Sequence, residues 1–282
     1  RATAAQGALA KAGEARAAAL QLAAKFPSDS LQVDAHVKRL MLAPVEGVED
    51  VFRNLGSRDA NEAGARFCSM LKPLMSRFPF SWQSREKASM ADVVATFGPQ
   101  QGAIWSFARE QLQNQVTRLG SNVVARPGAG PPLTPAAMDF FRKAAEVTDA
   151  LFQANGEEPH FAIALRPELS AAVPTVRVDI DGVSQTFTRT SNSYKTYDWY
   201  GSRAQSVQVS VPSAGEAQDL SFRGPWALFD LFHQADLRDA GTNWRAEFAK
   251  PKVALELNLR GVAPIFRRDY FSQWKCPSSM VQ

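Results

Sequence analysis

The sequence predicts an α+β fold in two parts, an N-terminal helical bundle over residues 1–155 and an antiparallel β-sandwich over residues 156–282. Three observations support this prediction, and the first two concern the spacing of apolar residues. Apolar residues recur with helical spacing before residue 155, and they alternate with polar residues after it. The third observation is the apolar segment at residues 222–232, which interrupts the predicted strands. The sandwich is therefore expected to contain a short buried helix.

Composition and charge exclude some functional classes. The chain has 282 residues, 45% of them hydrophobic and 21% charged, which is typical of globular proteins. Residues 1–155 hold 18 basic and 14 acidic side chains, and residues 156–282 hold 14 of each. Because the two signs are interspersed and no basic tract occurs, nucleic-acid binding is disfavoured. The chain begins at Arg1, so we expect a piece of a longer protein.

The helical part begins with three predicted helices. Alanine, the strongest helix former, dominates residues 2–25. Apolar residues at helical spacing predict a second helix over residues 30–41 and a third over residues 61–75. Pro73 is expected to kink or shorten the third helix, because proline lacks a backbone N–H.

Three further helices are predicted before residue 155. Ser89 followed by Asp92 is a typical N-terminal capping signal, and the short helix that it opens ends at Gly98. The apolar face of residues 101–119 predicts a longer helix. After a Gly- and Pro-rich break, Thr134 and the proline behind it open the last helix.

The second part reads as a series of short strands. Asp181-Gly182 is the strongest hairpin signal in the chain, because a type I′ turn needs two residues with positive φ. Lys250-Pro251 marks another turn, and a two-residue loop there would place Arg245 opposite Glu256. The predicted strands cover residues 161–165, 176–180, 183–187, 207–211, 244–248 and 253–259.

The apolar segment at residues 222–232 is interpreted as a core element. Gly224-Pro225 ends the preceding strand, and the run that follows is apolar nearly all round. A helix of that kind must be buried on most sides. Trp226, Leu228 and Phe229 are therefore predicted to belong to the structural core.

Cysteines and histidines give no sign of a metal site. Cys68 and Cys276 are 208 positions apart, and two such thiols make neither a disulfide framework nor a zinc site. One bridge between them is possible in an oxidising compartment, but two separate reduced thiols are favoured. His36, His160 and His233 lack metal-ligand spacing. His233 suits a protonated cap at the end of the predicted buried helix.

No residue pattern predicts catalysis. Phosphate-binding, dinucleotide-binding and nucleophile-elbow motifs do not occur in the sequence, so no cofactor is expected. Glu247 and Glu256 could form a carboxylate pair for glycoside hydrolysis. Both fall on the predicted outer face of a hairpin, which favours solvated charge.

A polar segment rich in aromatic residues is the candidate binding surface. Residues 192–201 hold four aromatic side chains among polar ones, a composition typical of binding surfaces and also of strand edges packed on a core. Tyr194, Tyr197 and Tyr200 are predicted to be exposed partner contacts. Trp199 is predicted to anchor the segment in the core.

Several motifs, taken in order, resemble the C-terminal periplasmic region of the IcmF/TssM family, large inner-membrane proteins of bacterial type VI secretion systems. Two departures occur: Tyr200 stands where the family has proline between Trp and Gly, and Ile265 departs from Asn-Pro-Phe. The resembling residues are Phe78-Pro79-Phe80, Ala88 to Asp92, Phe97-Gly98-Pro99, Phe107, Trp199, Gly201, Phe222, Gly224 to Phe229, Leu231, Pro264, Phe266 and Cys276-Pro277.

The resemblance implies a helical subdomain followed by a β-sandwich, in a protein anchored in the membrane upstream of this chain. It implies a periplasmic position and contact between the β-domain and an outer-membrane lipoprotein of the TssJ type. The expected function is a non-enzymatic scaffold of the type VI membrane complex. An alternative is an envelope domain that binds or cleaves glycans such as peptidoglycan, with Asp198 as its candidate carboxylate.

Overall fold

The computed structural model describes residues 2–23, 25, 31–112, 115–126, 131–153, 156–212, 218–258, 265–271 and 274–282. The helices are α1 (Ala2–Ala23), α2 (Leu31–Met75), α3 (Met90–Phe97), α4 (Ala103–Glu110), α5 (Pro135–Leu151) and α6 (Ala227–His233). The strands are β1 (Val116–Leu119), β2 (Asn122–Ala125), β3 (His160–Pro167), β4 (Thr175–Ile180), β5 (Val183–Thr188), β6 (Lys195–Tyr200), β7 (Ser206–Val211), β8 (Gln218–Arg223), β9 (Ala235–Asp239), β10 (Trp244–Phe248) and β11 (Val253–Asn258). These elements confirm an α+β fold.

The second and third predicted helices are one helix. α2 runs for 45 residues and packs against α1 at its N-terminal end. It passes through Pro44 without ending, although Val45 and Gly47 behind the proline are weak helix formers. Pro73 lies in the last turn, and α2 ends two residues later at Met75. The predicted helix start at residue 30 lies outside the described residues.

The predicted capping residues open their helices. The Ser89 hydroxyl accepts a hydrogen bond from the backbone N–H of Asp92 at 3.0 Å, and α3 ends before Gly98. The Thr134 hydroxyl accepts a hydrogen bond from the N–H of Ala137 at 3.1 Å, with proline as the first helical residue of α5.

The helix predicted over residues 101–119 is wrong beyond Glu110. α4 ends there, and β1 and β2 form a hairpin around Gly120, whose φ of +62° favours glycine. Leu112 and Val116 are both buried, so a turn followed by a strand reproduces the i, i+4 apolar spacing of a helix. β-Branched residues along β1 and β2 favour the extended backbone.

Two antiparallel sheets form the sandwich. The five-stranded sheet has the order β6-β3-β11-β10-β9, and the four-stranded sheet has the order β5-β4-β7-β8. Asp181 and Gly182 have φ values of 52° and 81°, as the predicted hairpin between β4 and β5 requires. Arg245 lies opposite Glu256 in the β10–β11 pair. The end of the last predicted strand, at residue 259, lies outside the described residues.

A single hydrophobic core extends from the helices into the sandwich. Trp226, Leu228 and Phe229 are each at most 1% exposed, and α6 is enclosed by the core. The Trp226 indole N–H donates to the carbonyl of Ala88 at 2.7 Å, so this side chain joins the sandwich to the helical part. The Trp199 indole N–H donates to the carbonyl of Pro225 at 3.1 Å.

The C-terminal tail returns to the helices. The side-chain oxygen of Asn61 accepts hydrogen bonds from the backbone N–H groups of Met280 and Val281, at 2.7 and 3.0 Å. The C-terminal tail of the second predicted domain therefore packs on the first. The division into domains 1–155 and 156–282 stays a prediction, and residues 154 and 155 lie outside the described part.

The two cysteines form a disulfide, so the expectation of separate reduced thiols is wrong. Cys68 in α2 is bonded to Cys276 in the tail, with 5.8 Å between their Cα atoms. The C-terminal tail packs back on α2 and brings the two cysteines together. The residues around each cysteine give no local signal for this long-range contact. The bond fixes the C-terminal tail to the last third of α2.

The expected protonated cap at His233 is also wrong. Its ring packs against Trp82 and Phe78, with ring centroids 4.5 and 5.8 Å away. Burial, followed by the positive charge of Arg268, lowers the pKa of His233. The Arg268 guanidinium instead donates to the carbonyl of His233 and supplies the cation at this helix end.

Candidate partner-binding surface

The segment predicted as a binding loop contains an edge strand. β6 pairs with β3 alone among the described strands, with Tyr200 opposite His160 and Lys195 opposite Leu165. Successive side chains of a strand point to opposite faces of the sheet. Tyr200 therefore faces outward together with Asp198, whereas Trp199 faces the core and is 1% exposed.

Tyr197 is buried, which contradicts its predicted exposure. It lies two residues before Trp199 on the same face of β6 and is 3% exposed. Desolvation of its hydroxyl raises the pKa of Tyr197. This hydroxyl has no hydrogen-bond partner within the described residues. Tyr197 therefore belongs to the core. Tyr194 and Tyr200 remain as candidate contacts with a partner.

Tyr194 is held in place on the outer face of the five-stranded sheet. It is 36% exposed, and the Arg166 guanidinium lies over its ring at 4.7 Å from the centroid. The Asn243 amide donates to the Tyr194 hydroxyl at 3.0 Å and to the Glu256 carboxylate at 2.7 Å. Arg166 also forms an ion pair with Glu256 at 2.6 Å. These four side chains come from β3, β11 and two loops.

A row of charges continues this face toward β10. Arg245 donates to both carboxylate oxygens of Glu168, at 2.5 and 2.8 Å, and forms an ion pair with Glu247. Hydrogen bonding by Arg245 lowers the pKa of Glu168. Hydrogen bonding by Tyr194, then by Arg166 and Asn243, lowers the pKa of Glu256 below its ordinary value of 4.5. These hydrogen bonds favour the ionised forms of Glu168 and Glu256.

The lowered pKa of Glu256 predicts a change in acid stability. The folded protein binds this proton less readily than the unfolded chain, so Glu256 stabilises the fold above its ordinary pKa of 4.5. That contribution is lost as the pH falls through the lowered pKa. We expect Glu256→Gln to make the acid decline of unfolding free energy shallower, by at most about 1.4 kcal/mol per pH unit. Urea unfolding at pH values from about 5 to 3 measures this decline.

The control is Glu157→Gln, which neutralises an exposed carboxylate on a loop and should leave the acid slope unchanged. Equal slopes for wild type and Glu256→Gln would contradict the assignment of Glu256 as a proton-linked stabilising group.

Tyr200 marks the other end of the same face. Its ring stacks on the His160 ring with centroids 4.3 Å apart, and the Arg203 guanidinium lies 4.1 Å from its centroid. The Asp198 carboxylate lies 3.2 Å from Nε2 of His160. Tyr194 therefore precedes the first residue of β6 and Tyr200 is its last residue. An arginine side chain packs on the ring of each tyrosine.

Close packing around Gly201 disfavours a larger residue at this end of β6. A Cβ atom at this position would lie 2.7 Å from the sulfur of Met90, 3.0 Å from the Trp199 ring and 3.1 Å from Cβ of Pro159. Met90 begins α3, so the close approach joins β6 to the helical part. The Trp199 and Gly201 positions of the resembling motif are thus accounted for by packing.

The described residues contain no group of three or more His, Cys, Asp or Glu side chains that could hold a metal ion. Glu247 and Glu256, the candidate glycosidase pair, are engaged by Arg245 and Arg166 respectively. The molecule is therefore an α+β module whose candidate site is the aromatic and charged outer face of its five-stranded sheet.

Comparison with known proteins supports the α+β fold class. Residues 161–263 match the family described as Type VI secretion protein IcmF C2-like domain. The chain is similar to the type VI secretion system component TssM1 of Pseudomonas aeruginosa strain PAO1, with 29% identity over 217 residues. This alignment covers 73% of the chain but 20% of TssM1, so the chain spans about a fifth of the length of that relative.

Solved structures share the fold. A structure described as the T6SS protein TssM C-terminal domain from EAEC matches with a TM-score of 0.63 and 18% identity, over 79% of this chain and 99% of that one. A Type VI secretion system membrane core complex matches with a TM-score of 0.77 and 16% identity, over 96% of this chain and 57% of that one. These matches confirm the resemblance of the chain to the C-terminal region of IcmF/TssM.

Proposed function

We propose that the chain is a non-enzymatic scaffold module of a type VI secretion membrane complex, located in the periplasm. Its β-domain binds an outer-membrane lipoprotein of the TssJ type. Support comes from the IcmF C2-like match and from structural neighbours described as a Type VI secretion system membrane core complex and a Type VI membrane complex. Other subunits of that complex are the further proposed partners.

The observation that carries the proposal is the outer face of the five-stranded sheet. Tyr194 and Tyr200 lie at its ends with their rings already fixed by Arg166 and Arg203. Preordered aromatic side chains with polar tips contribute strongly to interfaces because they lose little entropy on binding. The alternating charges beside Tyr194, on β3, β11 and β10, give a partner a defined electrostatic pattern to match.

The disulfide supports the periplasmic position. A bond such as Cys68–Cys276 persists in oxidising compartments, of which the bacterial periplasm is one. Within the described ranges, no helix has the length and apolar character needed to cross a membrane.

The contacts between the sandwich and the helices suit a scaffold. The Trp226 indole donates to the Ala88 carbonyl, and Lys87 forms an ion pair with Asp230 of α6 at 2.6 Å. Because both contacts join the loop before α3 to the segment around α6, a load on the β-domain reaches the helices through the buried Trp226 side chain and a surface ion pair.

Carboxylate chemistry argues against glycan cleavage. A glycosidase needs one carboxylic acid with a raised pKa beside a second carboxylate. The pKa values of Glu168 and Glu256 are instead lowered, and Asp198 is engaged by His160. A peptidoglycan zymogram with the purified chain is expected to show no clearing, and clearing would contradict the scaffold assignment.

Loss of the two outward-facing tyrosines, of which Tyr194 is exposed and Tyr200 partly buried, is expected to weaken lipoprotein binding. The variant Tyr194→Ala with Tyr200→Ala should lower the affinity for the cognate lipoprotein about tenfold to a hundredfold, since interface aromatics commonly act as hot spots. Biolayer interferometry with the immobilised lipoprotein ectodomain measures the dissociation constant.

Tyr197→Phe is the matched control. It removes a buried hydroxyl and leaves the outer face intact, so the affinity should match wild type. Unchanged affinity in the double alanine variant, with native circular dichroism, would remove this face from the proposed interface.

A further inference from the structure

The two outward-facing tyrosines of the candidate surface offer different atoms to a partner. The ring of Tyr200 is covered on both faces. The His160 ring stacks on it with centroids 4.3 Å apart and planes 20° from parallel, and the Arg203 guanidinium lies over it at 4.1 Å from the centroid. Two groups this close to one centroid would collide on the same side, so they occupy opposite faces. The edge and the hydroxyl of Tyr200 are what remain for a partner.

The Tyr200 hydroxyl is unused within the chain and open to solvent. In the part of the chain that the structure describes, no group forms a hydrogen bond with it. Unlike the hydroxyl of Tyr197, which is enclosed without a partner, it is not shut off from solvent. A partner that covers this hydroxyl must supply a hydrogen bond in exchange for the solvent, because burying a hydroxyl without a partner disfavours the complex.

Tyr194 shows the reverse arrangement. Its hydroxyl accepts a hydrogen bond from the Asn243 amide at 3.0 Å and hydrogen-bonds the Glu256 carboxylate, so this polar group is satisfied within the chain. The Arg166 guanidinium covers one face of the ring, at 4.7 Å from the centroid, and Tyr194 as a whole is 36% exposed. What Tyr194 has left to offer is therefore ring surface rather than a hydrogen bond.

The unused polar groups around Tyr200 are donors. Glu158 accepts a hydrogen bond from Arg203 at 3.4 Å. The Asp198 carboxylate lies 3.2 Å from Nε2 of His160, so both nearby carboxylates are engaged. Arg203 carries five N–H donors and no acceptor, and its side chain is 66% exposed. A partner group that approaches this end of the surface therefore meets hydrogen-bond donors and is favoured when it carries an acceptor.

From these contacts we infer that Tyr200 determines specificity through its hydroxyl, which donates a hydrogen bond to an oxygen atom of the partner, whereas Tyr194 contributes ring surface alone. This inference rests on the lipoprotein interface proposed above and assigns the atoms that act in it. A carboxylate and an uncharged carbonyl of the lipoprotein both meet the requirement. Loss of a hydrogen bond to a carbonyl lowers affinity about threefold to tenfold, and loss of one to a carboxylate about tenfold to a hundredfold.

Replacement of tyrosine by phenylalanine tests the inference, because it removes the hydroxyl and keeps the ring. Tyr200→Phe leaves the ring between His160 and Arg203, so the melting temperature should match wild type. Its affinity for the immobilised lipoprotein ectodomain should fall about threefold or more, which accounts for most of the loss caused by Tyr200→Ala.

Tyr194→Phe is the matched control, since it makes the same exchange where the hydroxyl is bound within the chain. Asn243 and Glu256 lose a hydrogen-bond partner, so the melting temperature should fall, while the affinity should stay within about twofold of wild type. Tyr200→Phe is thus expected to weaken binding without loss of stability, and Tyr194→Phe to lose stability with little effect on binding.

Salt dependence distinguishes the two kinds of acceptor. A carboxylate predicts a loss of about tenfold or more in Tyr200→Phe that shrinks as NaCl rises from about 50 to about 500 mM. An uncharged carbonyl predicts a smaller loss that salt leaves unchanged.

Wild-type affinity in Tyr200→Phe, combined with weakened binding in Tyr200→Ala, would overturn the hydroxyl contact and leave the proposed interface standing. A loss in Tyr194→Phe as large as that in Tyr200→Phe would overturn the division between the two tyrosines. Wild-type affinity in both single alanine variants, Tyr194→Ala and Tyr200→Ala, would remove this face from the interface and contradict the proposed function itself.

Discussion

Replacing Trp226 with alanine is expected to lower the free energy of unfolding by about 3–5 kcal/mol. Its side chain is 1% exposed and packs on Phe229 and Trp199, with ring centroids 4.9 and 5.9 Å away. Alanine would leave a cavity and would also leave the Ala88 carbonyl without the indole N–H that now donates to it. Because that hydrogen bond joins the sandwich to the helices, both parts should lose stability together.

Urea unfolding followed by tryptophan fluorescence and by circular dichroism measures the loss. Trp244→Ala is the control, since that indole is only partly buried in β10 and its loss should be smaller. A Trp226→Ala protein as stable as wild type would contradict the assignment of this segment to the structural core. A stable variant with selectively lost lipoprotein binding would instead make Trp226 a binding residue.

Removal of the disulfide is expected to cost about 2–4 kcal/mol of stability. Cys68→Ser with Cys276→Ser opens a covalent loop that spans 208 positions and frees the tail from α2. The hydrogen bonds of Asn61 and Thr134 to the tail and the burial of Met280 and Val281 would then hold it without a covalent bond. We expect a lower urea midpoint and faster proteolysis of the C-terminal residues.

Reduction of the wild type provides the internal control. Dithiothreitol should lower the wild-type midpoint to that of the double serine variant and leave the variant unchanged. Identical midpoints for oxidised and reduced wild type would show that the bond does not stabilise this fold.

Local signals predicted local structure well. The Ser89 and Thr134 hydroxyls cap their helices, and Asp181-Gly182 forms the predicted turn, because each depends on residues within a few positions. The helix predicted over residues 101–119 is wrong beyond Glu110, because the prediction used local apolar spacing alone. A helix and a turn followed by a strand can place Leu112 and Val116 in the core equally well, and the choice is made by tertiary packing.

The candidate site could be predicted from the sequence only in part. Residues 192–201 stay the predicted binding segment, with Tyr194 exposed on the outer face of the sheet, but Tyr197 lies in the core. A signal for its burial was present, since Thr196 and Asp198 alternate with Tyr197 and Trp199 at the spacing of a strand. The partners of Tyr194 could not be predicted, because Arg166 and Glu256 reach it only through sheet pairing across distant strands.

The most direct test of the scaffold proposal is amide hydrogen exchange of the chain with and without the cognate lipoprotein ectodomain. If the outer face of the five-stranded sheet is the interface, saturating lipoprotein will slow exchange in residues 192–201 and in neighbouring β3, while α5 is unchanged. Saturable binding with protection confined to the helices or to the four-stranded sheet would contradict this account.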